Sequence, residues 1–76
     1  MGEVTARVEA AVRELIASGE LPNGRLPSER TLAADLKAGR TTIRLVLMKL
    51  ASEGLVRSEH GRGYFAADQD GSNGSA

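Results

Sequence analysis

The sequence predicts a mainly α domain, three helices closed by a small two-stranded β-hairpin, on three observations. Apolar residues recur at helical spacing in three separate stretches. Proline or glycine interrupts the pattern after each of them. A short β-prone pair of segments then flanks a glycine-rich turn near the end. At 76 residues the chain is one small domain, with little core to stabilise it beyond dense helix packing. Its bounds are read as residues 1–67, with 68–76 as a polar tail.

The first helix is read from about residue 3 to 18. Val4, Val8, Ala11, Val12 and Leu15 fall at i, i+4, i+7, i+8 and i+11 and predict one buried face. Glu9, Arg13 and Glu14 fall outside it, and Gly19 supplies a left-handed stop. The connector from Gly19 to Pro27 holds Pro22, Asn23-Gly24 and Pro27, which predicts a non-helical path anchored by Leu21 and Leu26.

Ser28 stands at an N-cap position after Pro27, and Glu29 suits the first turn of a second helix. Leu32, Ala33 and Leu36 give that helix its apolar face. Arg30 and Lys37, at about 100° per residue, are expected to project together from the other side, either as phosphate contacts or as solvated cations. Ala38-Gly39 breaks the pattern. A third helix follows, with Ile43, Val46, Leu47, Leu50 and Ala51 as its buried stripe. Its opposite face carries Thr41, Leu45, Met48 and Lys49, with Arg44 on the flank, and Gly54 ends it.

Leu55-Val56-Arg57 and Tyr64-Phe65-Ala66 are read as strands around a turn from Ser58 to Gly63. An isolated hairpin is marginal in water, so it should pack on the helices through Leu55, Phe65 or their neighbours. The tail contains no apolar side chain larger than alanine and is expected to be disordered.

The composition narrows function. Cysteine is absent, and one histidine, one tyrosine and one phenylalanine leave little material for a metal site or a nucleophilic triad. No enzymatic activity and no cofactor are expected. The N-terminus lacks a basic region followed by an apolar run, and no stretch approaches the roughly 20 apolar residues of a membrane span. The chain is therefore expected to be soluble and cytoplasmic. Formal net charge is zero, but unevenly spread. Residues 1–24 sum to −2, residues 25–62 to +4 and residues 63–76 to −2. A basic middle gives a local positive field that favours a polyanion.

Within that basic middle, Arg40, Thr41 and Thr42 open the third helix. Arginine forks and threonine hydroxyls at a helix start suit phosphate and base-edge contacts, and the helix N-terminus adds a favourable field. Two helices joined by a short turn, the second opening with Arg-Thr-Thr, have the helix-turn-helix layout. A hairpin tip holding His60 and Arg62 between glycines, beside such a pair, reads as a wing.

Several blocks carry a family likeness: Leu26-Pro27-Ser28-Glu29-Arg30, Leu32-Ala33, Arg40-Thr41-Thr42-Ile43-Arg44, Leu50, Glu53-Gly54-Leu55-Val56 and Gly61-Arg62-Gly63. Together, over about Val4 to Ala66, they resemble the winged helix-turn-helix DNA-binding domain of GntR-type bacterial transcription regulators. The resemblance implies that the third helix docks in the major groove and the wing against the minor groove or backbone. It implies DNA contacts for Arg30 on the second helix, for Arg40, Thr41, Thr42 and Arg44 on the third, and for His60 and Gly61 on the wing; Ser28 at the cap and Arg62 at the wing tip are further candidate contacts. The His60-Gly61 pair is similar to the minor-groove contact of the fatty-acid-responsive branch. The expected partner is a two-fold-related double-stranded operator, bound by a homodimer that either stands in solution or forms only on DNA. The expected role is that of a repressor.

Three departures accompany the likeness. Lys37-Ala38-Gly39-Arg40 replaces the family's Gly-Val-Ser-Arg, removing a hydroxyl that both caps the helix and contacts phosphate. Lys37 then either takes a left-handed conformation at a cost of roughly 1–2 kcal/mol, or the turn is rebuilt around Gly39; the latter is expected. Leu45 and Met48 stand where the family has polar residues. They should lie partly exposed, against a thymine methyl, against a partner or simply in solvent. The alternative reading, a winged helix used for protein association, takes Leu45, Met48 and Tyr64 as its contact surface. GntR-type regulators carry a C-terminal effector and dimerisation domain, whereas only a polar tail follows Ala66. That leaves an excised domain or a short regulator, with no small-molecule effector site expected in this chain.

Overall fold

The predicted elements appear in the predicted order in the computed structural model, which describes residues 2–67. The polar tail lies outside the described residues. Helix α1 spans Glu3–Ser18, α2 Glu29–Leu36 and α3 Arg40–Ser52. They precede strands β1, Val56–Glu59, and β2, Gly63–Ala66.

The α1 stripe buries Val8 and Val12 completely, with Leu15 and Ile16 packed partly against the same core. Val4, expected on that face, is 45% exposed. Gly19 closes the helix with φ 74°.

The connector, expected to be free of helix, contains one 3-10 turn at Pro22–Gly24. Proline begins it because its missing N–H is no loss there. Asn23 and Gly24 both take positive φ, 54° and 76°, conformations that asparagine and glycine tolerate better than other residues. The chain then does something the sequence did not announce. Arg25 forms an antiparallel bridge with Phe65, and the Leu26 N–H donates to the Tyr64 carbonyl at 2.9 Å. Phe65 also pairs with Arg57 across the hairpin. Strand β2 is therefore central, with β1 on one edge and the connector on the other. Part of its outer edge is thereby satisfied.

Ser28 caps α2 as predicted, its hydroxyl accepting from the Thr31 N–H at 3.1 Å. The end of α2 departs from expectation. Lys37 itself is left-handed, φ 55° and ψ 51°, while Gly39 is extended at φ −74° and ψ 153°. The turn is not rebuilt around Gly39. Lys37 donates its N–H to the Ala34 carbonyl at 3.4 Å and Ala38 to that of Ala33 at 3.0 Å, the paired bonds of a Schellman ending. Arg7 of α1 adds a third tie, donating from Nη1 to the Leu36 carbonyl at 2.7 Å. These bonds hold a lysine where glycine would be unstrained. Because Lys37 lies past the end of α2, the helical spacing that set it beside Arg30 does not extend to it.

Helix α3 runs through the core. Ile43, Val46, Leu47 and Leu50 are buried and meet Val8, Val12, Leu26, Leu32 and Val56. Gly54, φ 82°, ends the helix by the same Schellman pair, Gly54 to Ala51 at 3.0 Å and Leu55 to Leu50 at 2.9 Å. The strands are longer and the turn shorter than predicted. Ser58 and Glu59 pair with Tyr64 and Gly63, leaving His60, Gly61 and Arg62 as the tip. Leu55 precedes β1 rather than opening it. The hairpin's anchor in the central core is Val56, while Phe65 is buried on the opposite face of the sheet.

Candidate nucleic-acid interface

The start of α3 is built around one carboxylate. Glu29, in the first turn of α2, accepts two hydrogen bonds from Arg44, Nε at 3.2 Å and Nη2 at 2.9 Å. Arg40 Nη2 approaches the same carboxylate at 3.9 Å. The Glu29 side chain is only 16% exposed. The hydrogen-bonded Arg44 fork holds its carboxyl below the usual range against the opposing effect of burial, helped by the charge of Arg40 and by Tyr64. Arginine has five N–H donors. With Nε and Nη2 engaged side-on, the outer edge of the Arg44 fork remains available to another acceptor. Arg40 and Thr41 are exposed beside it, and Thr42 is half-buried. No acid occupies the first turn of α3 itself.

Ser28 is exposed, but its hydroxyl already accepts from the Thr31 N–H and donates to Thr31 Oγ1 at 3.1 Å. A phosphate would meet a hydroxyl already engaged as a helix cap. Arg30 is exposed on α2 and makes no ion pair among the described residues.

The wing has its own organising carboxylate. Glu59 accepts from Arg57 Nε at 2.6 Å and lies 3.4 Å from Arg62 Nη1. Arg57, then burial in opposition, then the charges of Arg57 and Arg62 set its carboxyl below the ordinary range. Both guanidinium groups lie over the Phe65 ring, at 5.7 and 5.4 Å from its centroid. Cation–π contact and the shared carboxylate thus stiffen the base of the wing. At the tip, Gly61 has φ 75°, and the Arg62 N–H donates to the Glu59 carbonyl at 2.9 Å. A left-handed residue third in a reverse turn favours glycine. His60 and Gly61 are exposed there.

The predicted residues thus fall into groups. Arg40 and Arg44 converge on Glu29. Ser28 and Arg62 line one groove of about 940 Å³ that opens between the connector, the start of α2 and the wing. Arg30, Thr41, His60 and Gly61 are exposed without such a link. Two further residues were missed by sequence reasoning. Arg25 also lines the groove, its guanidinium about a contact distance from Gly63, where an added Cβ would meet Nε and Nη2 at 3.8 Å. A strand-like residue ahead of Leu26-Pro27 was the available signal. Glu29 itself, read only as a favourable first-turn acid, is the hub of the α3 cluster.

Lys49 is exposed, as expected of the outer face, and its ammonium reaches Glu9 of α1 at 3.1 Å. One expected placement needs correction. Tyr64, offered with Leu45 and Met48 as a protein-contact surface, is half-buried and packed against the core, so it is a poor member of that surface.

Helix, turn, helix and a hairpin whose tip stands clear of the core together define a winged helix-turn-helix module. The chain belongs to the family described as bacterial regulatory proteins, gntR family, which it matches over residues 4–65. Among curated relatives, the histidine utilization repressor of Pseudomonas aeruginosa is 37% identical over 93% of this chain and 30% of its own length. The Uxu operon transcriptional regulator of Escherichia coli is 39% identical over 86% of this chain and 26% of its own. The chain thus spans less than a third of these relatives. Among solved structures, the DNA-binding domain of AraR in complex with operator ORX1 superposes with a TM-score of 0.78, at 34% identity, covering 88% of this chain and 82% of that one. These relatives are a repressor and a transcriptional regulator. Among the described residues no helix is long and apolar enough to cross a membrane.

Proposed function

We propose that this chain reads double-stranded DNA in the cytoplasm as the operator-binding module of a transcription repressor. Helix α3 enters the major groove by its first turn, and the wing tip meets the adjacent minor groove or backbone. The observation that carries this reading is the surplus of arginine around Glu29. One carboxylate serves Arg40 and Arg44, so the α3 start presents positive charge and oriented N–H donors where a helix would ordinarily favour an acid. The likeness to operator-bound AraR domains supports the same docking.

Arg40, Thr41, Thr42 and Arg44 are assigned to bases and phosphates. Ser28, Arg30, His60, Gly61 and Arg62 position the module on the backbone and in the minor groove. A bidentate arginine to guanine contributes about 1–3 kcal/mol of discrimination, and each phosphate neutralised steepens the log–log salt dependence by about 0.9. Two chains occupy a two-fold-related site, pairing in solution or only on the DNA.

Gel-shift titration against random-sequence competitor tests the reading. Retention of one duplex at competitor excess is expected, with affinity falling steeply as salt rises. Equal affinity for every duplex, or no binding at low salt, would overturn it.

A further inference from the structure

Leu45 and Met48 are each 56% exposed, and with Val4 they are the large hydrophobic residues left in solvent among the described residues. At about 100° per residue, Thr41, Leu45 and Met48 fall within roughly 60° of one another around α3. The burial pattern agrees: all three are exposed while Ile43, Val46, Leu47 and Leu50 are closed behind them. The apolar pair therefore continues, along one face, the exposed turn that carries Arg40 and Thr41. Two side chains are too small a patch for a stable protein interface, which buries roughly 1,200–2,000 Å² in all.

A helix entering the major groove by its first turn brings the next turn of that face against base edges. Leu45 lies about 6 Å beyond Thr41 along the axis and Met48 about 10 Å beyond it. In a groove roughly 8.5 Å deep, the first still reaches the floor and the second meets the rim. An isobutyl group neither donates nor accepts a hydrogen bond. Set against an amino group or a carbonyl of a base, it would strip water from a polar atom and leave it unpaired. The apolar group on that floor is the C5-methyl of thymine. We propose that Leu45 is a specificity-determining residue that packs on a thymine C5-methyl one turn along α3 from the base pair faced by Thr41, with Met48 covering the contact at the groove rim. The proposal rests on the DNA-binding reading above.

The test uses duplexes recovered from a random-sequence pool, with each thymine replaced in turn by deoxyuridine, which removes only the methyl. Binding should weaken about threefold to fivefold at one position in each half-site, the effect of losing one buried methyl. Leu45→Ala should bind the thymine and deoxyuridine duplexes equally at that position, with its thermal melt unchanged. A flat scan on an enriched site, or a deoxyuridine penalty that survives in Leu45→Ala, would overturn the contact and leave the DNA reading intact. Recovery of no enriched sequence would overturn both. A DNA-free oligomer that Leu45→Glu disperses, seen by native mass spectrometry, would assign the face to a second copy of the chain and overturn the contact as well.

Discussion

At its C-terminal end α3 meets two cations with two acids. Arg13 bridges Glu9 and Glu53 at 2.7 Å each, and Lys49 reaches Glu9 at 3.1 Å. At its N-terminal end two arginines share the single carboxylate of Glu29, and Arg30 stands nearby in sequence with no ion pair among the described residues. The first arrangement is locally neutral and agrees with the helix dipole, which favours a cation such as Lys49 in the last turn. The second opposes the dipole, since arginine is disfavoured at a helix start. Stability alone would place an acid there. The positive surplus at that end therefore fits a polyanionic partner, with Arg44 oriented by its two hydrogen bonds to Glu29 and Arg40 3.9 Å from the same carboxylate.

Truncating one cation at each end separates them most sharply. Arg40→Ala should weaken operator binding about tenfold to a hundredfold, the loss of one base or phosphate contact. Lys49→Ala should change it less than about twofold. Competition gel shifts on the same duplex measure both. A comparable loss from the two substitutions would mean that the whole helix acts as an undifferentiated basic rod.

The turns at the ends of α2 and α3 extend the contrast. Both close with the same two backbone bonds, one around Lys37 and one around Gly54. A Cβ at Gly54 would meet nothing within 4 Å, so Gly54→Ala carries only conformational strain and should destabilise by about 1–2 kcal/mol. At Lys37 the strain is already present. Lys37→Gly should stabilise by up to about 1 kcal/mol, several degrees in thermal melting for a domain this size. A lowered melting temperature would show that the lysine side chain contributes more than its backbone costs.

The same contrast explains what could be read from the sequence. Ser28 as a cap, Gly19 and Gly54 as stops, and the buried stripe of α3 follow from rules that act within one helical turn. Each was legible. Lys37 was not, because what holds it left-handed includes an arginine thirty residues earlier, and the local preference for Gly39 pointed the other way. The Arg25 bridge to Phe65 and the Arg44 fork on Glu29 also join residues far apart in sequence. The arginines at the α3 start stood out by type and position, while the carboxylates that hold such arginines became visible only in three dimensions. Lys49 shows the converse: periodicity placed it on the outer face, and a long flexible side chain reached an acid on α1.

Acid titration offers the finest distinction between the ends. Glu29 is held below the ordinary carboxylate range chiefly by Arg44, and Glu9 chiefly by Arg13 and then Lys49. A carboxylate with a lowered folded pKa binds fewer protons folded than unfolded. Its stabilisation is complete above the unfolded value, about 4.3 for glutamate, and disappears as pH falls through the lowered one. Stability should thus hold from neutral pH down to about 5 and decline below that. Glu9→Gln and Glu29→Gln should both flatten this acid limb in thermal melts. Only Glu29→Gln should alter DNA binding at neutral pH. It adds net positive charge, which strengthens contact with any duplex, while loosening the Arg44 fork that the operator must meet in register. The ratio of operator to random-duplex affinity should therefore fall about twofold to fivefold, a fraction of one oriented arginine's discrimination. An unchanged ratio would mean that Arg44 acts as a point charge and that Glu29 serves the fold alone.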